Sequence, residues 1–251
     1  GQQLMAELSA SNVDISNVIL SDRPTTLAFV QLTDGQASYL FYDENSAGRM
    51  IAVEDMPNQF DAVKAFLFGG ISLHCNPGAE TYVQFAETHA HSSVVMVDPN
   101  IRTSFISNEM LFREHMERMF RLADIVKVSD EDLNWLFPEP ETVEKKINIL
   151  QEFGPALVVL TQGETGVTAW KPDGNPIFVE SLKVDVVDTV GAGDSFNAGF
   201  LTSLNKAGHL NKADIRLILE NDIVAALDYG VRAAAVTVGR AGANPPWKDE
   251  L

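Results

Sequence analysis

Runs of consecutive apolar residues alternate with helical patterns along most of the chain. The runs at residues 65–71, 93–98, 124–128 and 156–161 predict buried strands, and the segments between them have apolar residues at helical spacing. Strands that are apolar throughout and separated by helices belong to a parallel sheet that helices cover on both faces. The pattern therefore predicts an α/β fold with a mainly parallel central sheet.

The part of the chain before residue 58 has a different pattern. Leu4 and Leu8 predict a short helix, and residues 26–33 and 37–42 are rich in β-branched and aromatic residues on either side of Asp34-Gly35. That arrangement is a strong signal for a β-hairpin. Two strands alone are marginal in water, so the hairpin is expected to pack on something else. Its aromatic residues favour a flap over a pocket or a dimer contact, with an ordinary sheet face as the alternative.

The most informative stretch is Asp-Thr-Val-Gly-Ala-Gly-Asp-Ser-Phe at residues 188–196. The residues from Leu182 to Val186 alternate between apolar and polar, which predicts a half-buried strand before it. The spacing of apolar residues predicts a helix over 195–207 after it. The order is therefore strand, glycine turn, helix.

A helix start leaves backbone N–H groups unpaired and carries a partial positive charge. The amides of Gly191, Ala192 and Gly193 could therefore receive an anion. Asp194 beside such an anion suggests a base next to a phosphate group. The alternative is that Asp194 only complements the helix dipole and that the glycines only form a tight turn.

Ligands of parallel α/β sheets bind beyond the carboxyl ends of the strands. The segments at those ends are Gly69-Gly70 and residues 98–102, 127–132 and 161–166, together with the glycine turn. Arg102 offers a planar guanidinium suited to a phosphate or sugar oxygen, with a surface ion pair as the alternative. Ser129 and Asp132 have the spacing of a helix-capping pair, and Asp132 could also face a metal.

The C-terminal third is expected to contain a second helix over about 213–229, followed by small residues at 232–238 that could let a flat ring approach the backbone. The sequence has no zinc-ligand spacing, no Gly-Lys-Ser or Gly-Lys-Thr phosphate loop and no G-x-G-x-x-G after a first strand. Walker-type and Rossmann-type nucleotide binding are therefore disfavoured.

Composition narrows the class of protein further. The chain has 251 residues, of which 45% are hydrophobic, and this suits one sizeable domain. Its formal charge of −17 argues against nucleic acid or an anionic membrane as a partner. No apolar run is long enough to span a bilayer. The single cysteine, Cys75, excludes an internal disulfide and favours a reducing, cytoplasmic location.

Residues 188–196 closely resemble the C-terminal signature of the ribokinase-like (PfkB) carbohydrate kinases. Four further motifs follow the family's order and extend the resemblance over essentially the whole chain: residues 98–102, 127–133, 161–166 and 240–243. Within the family, residues 38–48 and the Asp-Pro-Asn-Ile-Arg run look most like bacterial fructokinases, with 2-keto-3-deoxygluconate kinases a close second.

The resemblance implies a ribokinase-like three-layer α/β/α sandwich with a mainly parallel sheet and a small β lid at residues 25–43. It implies a single domain over residues 1–251. Family members begin with a strand, a substrate-binding Asp and a Gly-Gly element, and this chain starts after them. Because most direct sugar contacts would lie in that segment, the identity of the sugar stays open.

The resemblance also implies roles for individual residues. Asp194 would accept the proton of the sugar hydroxyl, and the amides of the turn would hold the transferring phosphoryl group. The expected catalytic residues are Asp194, Gly191, Ala192 and Gly193; the substrate-binding residues are Arg102, Asn100, Phe41 and Asp194; and the nucleotide-binding residues are Lys127, Ser129, Thr161, Gly163, Glu164, Gly166 and Gly193.

Two metal roles follow from the resemblance as well. Asp132 and Ser129 match the family's Asn-x-x-Glu motif, whose Glu acts on Mg²⁺ through water, although both residues depart from it. Asp188 and the carbonyl of Val190 match positions that hold a monovalent cation such as K⁺ in some members. The tail at residues 242–247 is shorter than in ribokinase and lacks its serine, which weakens the case for K⁺.

The function expected from the residues and the resemblance is ATP-dependent, Mg²⁺-assisted phosphorylation of a primary hydroxyl of a hexose, with fructose as the expected sugar. A kinase for 2-keto-3-deoxygluconate or another sugar is the first alternative. A catalytically silent protein that binds a sugar or a nucleotide is the second. Because the family's lid can pair with that of a second subunit, a homodimer through the lid is also expected.

Overall fold

The computed structural model describes residues 1–33, 36–57, 60, 62–172 and 174–251, without the side chains of residues 30–33, 36–39 and 41. The chain opens with helix α1 (Gln2–Ala10) and the two strands of the predicted hairpin, β1 (Leu27–Thr33) and β2 (Gln36–Tyr42). These strands pair with each other in antiparallel register. The predicted turn residues Asp34 and Gly35 lie outside the described residues.

Six further strands form the central sheet, and their order in the sheet follows the chain. They are β3 (Ala65–Gly69), β4 (Val94–Asp98), β5 (Ile125–Ser129), β6 (Leu157–Thr161), β7 (Gly166–Trp170) and β8 (Ile177–Glu180). The first four run parallel, as the apolar runs predict. The last two add an antiparallel hairpin that the sequence did not reveal.

Helices cover both faces of this sheet. They are α2 (Gly78–His89), α3 (Glu109–Leu122), α4 (Asp130–Leu136), α5 (Val143–Glu152), α6 (Ala192–Lys206) and α7 (Glu220–Val238). Side chains of a strand point alternately to opposite faces. Val95 and Val97 of β4 accordingly face a core formed with α2 to α5, whereas Val94 and Met96 face the core formed with α6 and α7. The predicted three-layer arrangement is confirmed.

The strand predicted before the glycine turn is absent. Residues 181–190 have no regular strand structure, and Leu182 and Val186 are 48% and 64% exposed. The amides of Val187 and Asp188 instead donate to the carbonyl of Val238 at the end of α7. Without a neighbouring strand, the apolar side chains of this segment find no sheet face to cover.

Helix α7 extends beyond the predicted end at residue 229 and includes the small residues at 232–238. Their role toward a flat ring stays a prediction. At Gly199, α7 packs directly on α6. A Cβ added to Gly199 of α6 would lie 2.9 Å from the carbonyl oxygen of Tyr229 and 3.1 Å from Cβ of Ala233. Small side chains on both helices allow this close approach. No helix within the described ranges is long and apolar enough to cross a membrane.

Candidate active site

The glycine turn forms the start of α6. Gly191 is the residue before the helix and has a φ of 81°, in the left-handed region that side chains disfavour. A Cβ at this position would also lie 3.1 Å from Cβ of Ala243. Both the backbone conformation and the close approach of the C-terminal segment therefore favour glycine at this position.

The amides of the turn are largely free of protein partners. Ala192 N donates to the carbonyl of Thr189 over a long 3.3 Å. The amides of Gly191, Gly193 and Asp194 donate to no group among the residues that the structure describes. A helix start with unpaired amides is a site for an anion. This geometry is what the predicted anion-binding role needs.

Asp194 lies in the first turn of α6, next to those amides, and is exposed. Its carboxylate makes no hydrogen bond or ion pair with any residue described. An exposed carboxylate beside free amides can accept a proton from a bound hydroxyl. The next residue, Ser195, is buried and shares a hydrogen bond of 2.7 Å with Thr237 of α7.

Beneath the turn lies a buried polar group formed from three elements. Lys127 Nζ of β5 donates to Asp98 Oδ2 of β4 at 3.0 Å, and Asn197 Nδ2 of α6 donates to the same oxygen at 2.7 Å. All three residues are at most 5% exposed. Lys127 Nζ would lie 3.4 Å from a Cβ on Gly193, so the ammonium reaches the turn itself.

Asp188 connects the turn to the C-terminal segment. Its Oδ1 accepts a hydrogen bond from Val190 N at 3.0 Å, and its Oδ2 accepts one from Gly242 N at 2.9 Å. These two bonds, that of Val190 first, hold the pKa of Asp188 below its ordinary value. The carboxylate therefore connects the turn at Val190 to the C-terminal segment at Gly242. Its predicted role toward a monovalent cation stays a prediction.

Ser129 and Asp132 form the capping box that their spacing predicts. Ser129 Oγ accepts from Asp132 N at 3.0 Å, and Asp132 Oδ2 accepts from Ser129 N at 3.0 Å. The other carboxylate oxygen, Oδ1, accepts from Ile101 N at 2.7 Å. Asp132 is only 4% exposed, with both oxygens in use, and this fits a structural role better than a magnesium ligand. Its role toward Mg²⁺ stays a prediction.

The bond from Ile101 also positions the two predicted substrate residues on either side of it. Asn100 is exposed with a positive φ of 40°, and Arg102 is partly exposed. Arg102 Nη1 donates to the carbonyl of Ile101 at 3.1 Å, which leaves its other donors for a ligand. Both residues directly follow β4, whose last residue is Asp98 of the buried group.

The predicted nucleotide residues lie at the end of β6 and in the turn that leads to β7. Thr161 is opposite Ser129 in the sheet, and the turn is closed by a bond from Gln162 N to the carbonyl of Gly166. Gly166 has a structural reason to be glycine, because a Cβ there would lie 2.4 Å from the carbonyl oxygen of Val179. Gly163 has a positive φ of 53° with open space around it, and Glu164 is exposed.

The structure thus brings Gly193, Lys127, Asp98 and Asn197 into direct proximity. It describes no hydrogen bond or ion pair between residues 161–166 and the glycine turn. The prediction that both bind the nucleotide therefore depends only on their position at the same edge of the sheet. The side chain of Phe41 lies outside the described part. Sequence reasoning missed Asn197, although a polar residue on an otherwise apolar stretch of α6 was a usable signal.

The sequence as a whole is similar to those of known carbohydrate kinases. Residues 1–250 match the sequence profile of the pfkB family carbohydrate kinases. The chain is 43% identical to the fructokinase of Rhizobium leguminosarum bv. trifolii over 215 residues, which are 86% of this chain and 65% of that protein. This chain therefore spans slightly less than two thirds of the length of that relative.

Two of the solved structures that are similar in fold are fructokinases. The fructokinase of Xylella fastidiosa with bound ATP superposes with a TM-score of 0.88 at 24% identity, over 96% of this chain and 76% of that one. The fructokinase of Vibrio cholerae O395 with bound fructose, ADP and calcium superposes with a TM-score of 0.84 at 24% identity, over the same shares of 96% and 76%. The fold, the position of the signature in it and the match over residues 1–250 lead to one conclusion: this chain belongs to the pfkB family of carbohydrate kinases.

Proposed function

We propose that this protein transfers the γ-phosphoryl group of ATP to a primary hydroxyl of a hexose, with fructose as the preferred sugar. The observation that carries the proposal is the exposed carboxylate of Asp194 next to the unpaired amides of Gly191 and Gly193. Family membership and the identity to a fructokinase support it.

In the proposed reaction, the sugar hydroxyl gives its proton to Asp194 while its oxygen forms a bond to the γ-phosphorus. The bond between that phosphorus and the bridging oxygen of ADP breaks, and ADP leaves with the negative charge. Transfers of this kind depend on positioning and on stabilisation of charge on the phosphoryl oxygens. The free amides at the start of α6 would supply that stabilisation. A general base of this type contributes about 10² to 10⁴ in rate.

The other proposed roles belong to residues at the ends of the sheet strands and in the lid. Arg102 and Asn100 would contact the sugar or the phosphoryl group at the end of β4, and Phe41 would contact the sugar from the lid. The residues proposed to line the nucleotide are Lys127, Ser129, Thr161, Gly163, Glu164, Gly166 and Gly193. Mg²⁺ is expected to bind together with ATP, and its positive charge would offset the negative charge of the phosphates. K⁺ at Asp188 and Val190 is proposed only as an accessory ion.

The lid favours a neutral sugar over an acidic one. Asp43, at the base of β2, accepts hydrogen bonds from the hydroxyls of Thr26 at 2.7 Å and Ser46 at 2.6 Å. Residues 25–43 contain no lysine, arginine or histidine, so the lid offers no basic partner for the carboxylate of 2-keto-3-deoxygluconate. This observation supports a hexose such as fructose over the keto-deoxy acid.

The proposal is tested by a coupled assay of ATP consumption with fructose, ribose, 2-keto-3-deoxygluconate and adenosine as acceptors. We expect the largest kcat/KM with fructose. Turnover only with 2-keto-3-deoxygluconate would show that this acid, and not fructose, is the substrate. ATP consumption that no acceptor stimulates would favour a catalytically silent binding protein.

A further inference from the structure

His74 is a buried histidine close to the point where the chain leaves β3. The residue is 5% exposed and directly follows a short 3₁₀ helix, Gly70–Leu73, at the end of this strand. Its ring lies against Phe112 of α3, with 4.7 Å between the ring centroids, and beside Phe105, at 6.3 Å. Phe105 belongs to the loop that contains Arg102. The ring is therefore held between α3 and this loop.

The imidazole makes one hydrogen bond with the part of the chain that the structure describes. Its Nδ1 lies 2.7 Å from the carbonyl oxygen of Gly70, and a carbonyl only accepts, so Nδ1 carries the proton. The other nitrogen, Nε2, is buried and has no hydrogen-bond partner in the described chain. Such an atom costs free energy, and a phenylalanine ring would fill the same space without that cost. The polar ring therefore points to a role for the bond with Gly70.

Gly70 connects this bond to the end of the neighbouring strand. β3 and β4 are parallel neighbours that end side by side, with Gly69 opposite Asp98. A Cβ added to Gly70 would lie only 1.3 Å from the carbonyl oxygen of Pro99. The main chain of Gly70 is thus in direct contact with the loop that leads to Arg102. Holding Gly70 in place therefore also holds this loop.

Arg102 itself lies near the imidazole. Burial is the main cause that lowers the pKa of His74, and the charge of Arg102 lowers it further, whereas main-chain groups of Gly70, Ile71 and Arg102 raise it. Both the main chain and the guanidinium of Arg102 are therefore close to the ring. The guanidinium keeps donors for a ligand, because only Nη1 has an acceptor in the described chain, the carbonyl of Ile101.

We propose that His74 is a positioning residue, which holds Arg102 in place for the reaction through its hydrogen bond to Gly70. This inference rests on the proposed function, in which Arg102 contacts the sugar or the phosphoryl group. A neutral ring suits this role, because a charged one would repel the guanidinium. His74 is buried beneath the loop, so it acts through Arg102 and not on the substrate.

Packing against Phe112 is the alternative explanation of the buried ring, and two variants separate the explanations. His74→Phe keeps a ring against Phe112 and has no donor for Gly70. His74→Asn places an amide N–H near the position of Nδ1 and loses the aromatic contact. If the bond to Gly70 positions Arg102, His74→Phe is the more damaging change for the reaction. If only packing matters, His74→Asn is the more damaging one.

His209→Phe is a matched control. It also removes a hydrogen bond from a histidine that is largely buried, the bond of 2.9 Å between Nε2 and Asp222. His209 lies in the connection between α6 and α7, beyond the end of α6 that is opposite the glycine turn. A loss of stability without a loss of activity is therefore expected from this variant.

The experiment measures kcat, KM for the sugar and thermal unfolding for each variant, and repeats His74→Phe in the background of Arg102→Ala. We expect His74→Phe to lower kcat/KM for the sugar about tenfold, the factor that corresponds to one hydrogen bond. We expect His74→Asn and His209→Phe to stay close to the wild type in kcat/KM, even where they unfold at a lower temperature. With Arg102→Ala, His74→Phe should cause little further loss, because the side chain through which His74 acts is gone.

Wild-type kcat/KM in His74→Phe would overturn the inference. A loss of equal size in His74→Asn would overturn it too, and so would a loss in His74→Phe that adds in full to that of Arg102→Ala. The NMR resonance of the Nε–H group of Arg102 reports its surroundings without turnover. We expect this resonance to shift in His74→Phe and not in His209→Phe, and an unchanged resonance in His74→Phe would contradict the inference. A wild type that turns over no sugar would refute the proposed function, while the resonance would still decide whether His74 positions Arg102.

Discussion

Ser195 and Thr237 share a buried hydrogen bond of 2.7 Å that joins the first turn of α6 to the last turn of α7. Ser195 directly follows Asp194, so this bond fixes the part of the helix that carries the proposed base. Asp188 adds a second connection in the same region through Gly242. The position of the glycine turn therefore depends on the C-terminal helix.

The bond between these hydroxyls predicts a non-additive effect of substitution. Thr237→Val keeps the shape of the side chain and leaves the buried Ser195 hydroxyl without this partner, so we expect a loss of about 1–3 kcal/mol in the free energy of unfolding. Adding Ser195→Ala should recover part of that loss, since no unpaired hydroxyl then remains. Urea denaturation of the two single variants and the double variant measures the coupling. Additive losses would show that the two hydroxyls do not interact.

Asp194→Asn tests the proposed base. The amide retains the size of the side chain and cannot take up the hydroxyl proton, so we expect kcat to fall by at least about 10². Binding of ATP, measured by calorimetry, should stay within a few-fold of the wild type. Asp130→Asn is a suitable control because Asp130 is also an exposed aspartate in the first turn of a helix, α4. A variant Asp194→Asn with wild-type turnover would exclude this carboxylate as the base.

Gly191→Ala and Gly208→Ala form a matched pair. Both glycines have a φ near +80°, 81° and 83°, where alanine costs about 1–2 kcal/mol. Only at Gly191 would the new Cβ also meet another group, Cβ of Ala243 at 3.1 Å. We therefore expect a larger loss of stability from Gly191→Ala and a loss of turnover that Gly208→Ala does not share. Equal losses of stability in thermal unfolding would mean that Ala243 moves away from the new Cβ without a cost in free energy.

His74 should make stability depend on pH. Burial lowers the pKa of His74 below its ordinary value, and Nδ1 lies 2.7 Å from the carbonyl oxygen of Gly70. Because the unfolded chain binds a proton at about pH 6.5 and the folded chain only at lower pH, the unfolded state holds more protons between those values. The free energy of unfolding should therefore fall as pH drops below about 6.5.

His74→Phe keeps a ring against Phe112, whose centroid lies 4.7 Å from that of His74. The variant should lose this contribution to the slope of stability against pH between about pH 7 and 5. At neutral pH it should lose about 1 kcal/mol, because the carbonyl of Gly70 loses a donor. Urea denaturation at several pH values compares the two slopes. Parallel slopes for wild type and variant would contradict the prediction.

The lid offers an apolar face for the proposed dimer. Leu27 and Tyr42 are paired across the hairpin, as are Phe29 and Leu40, and these four side chains are 53–61% exposed. We expect the variant Phe29→Asp to shift a dimer toward monomer in sedimentation velocity. Leu20→Asp is the control, because Leu20 is 74% exposed outside the hairpin. A monomeric wild type, or an effect of equal size from both variants, would rule out the lid as the interface.

The sequence by itself determined the alternation of strands and helices, because burial of both sheet faces imposes unbroken apolar runs such as the one in β4. It also determined the glycine turn and the Ser129–Asp132 cap, because the residues that form each of them are only a few positions apart in the sequence. Local spacing is sufficient for features of this kind. The strand predicted from the alternation between Leu182 and Val186 was wrong, because residues with a period of two form a strand only where another strand lies beside them.

Only the tertiary structure decided which distant groups meet. Asp98, Lys127 and Asn197 are separated by up to 99 residues, and nothing local shows that one carboxylate oxygen serves both donors. The same holds for Asp132, whose second oxygen is occupied by the amide of Ile101. Hydrogen bonds act over about 3 Å, so contacts between such groups exist only once the sheet and helices are packed.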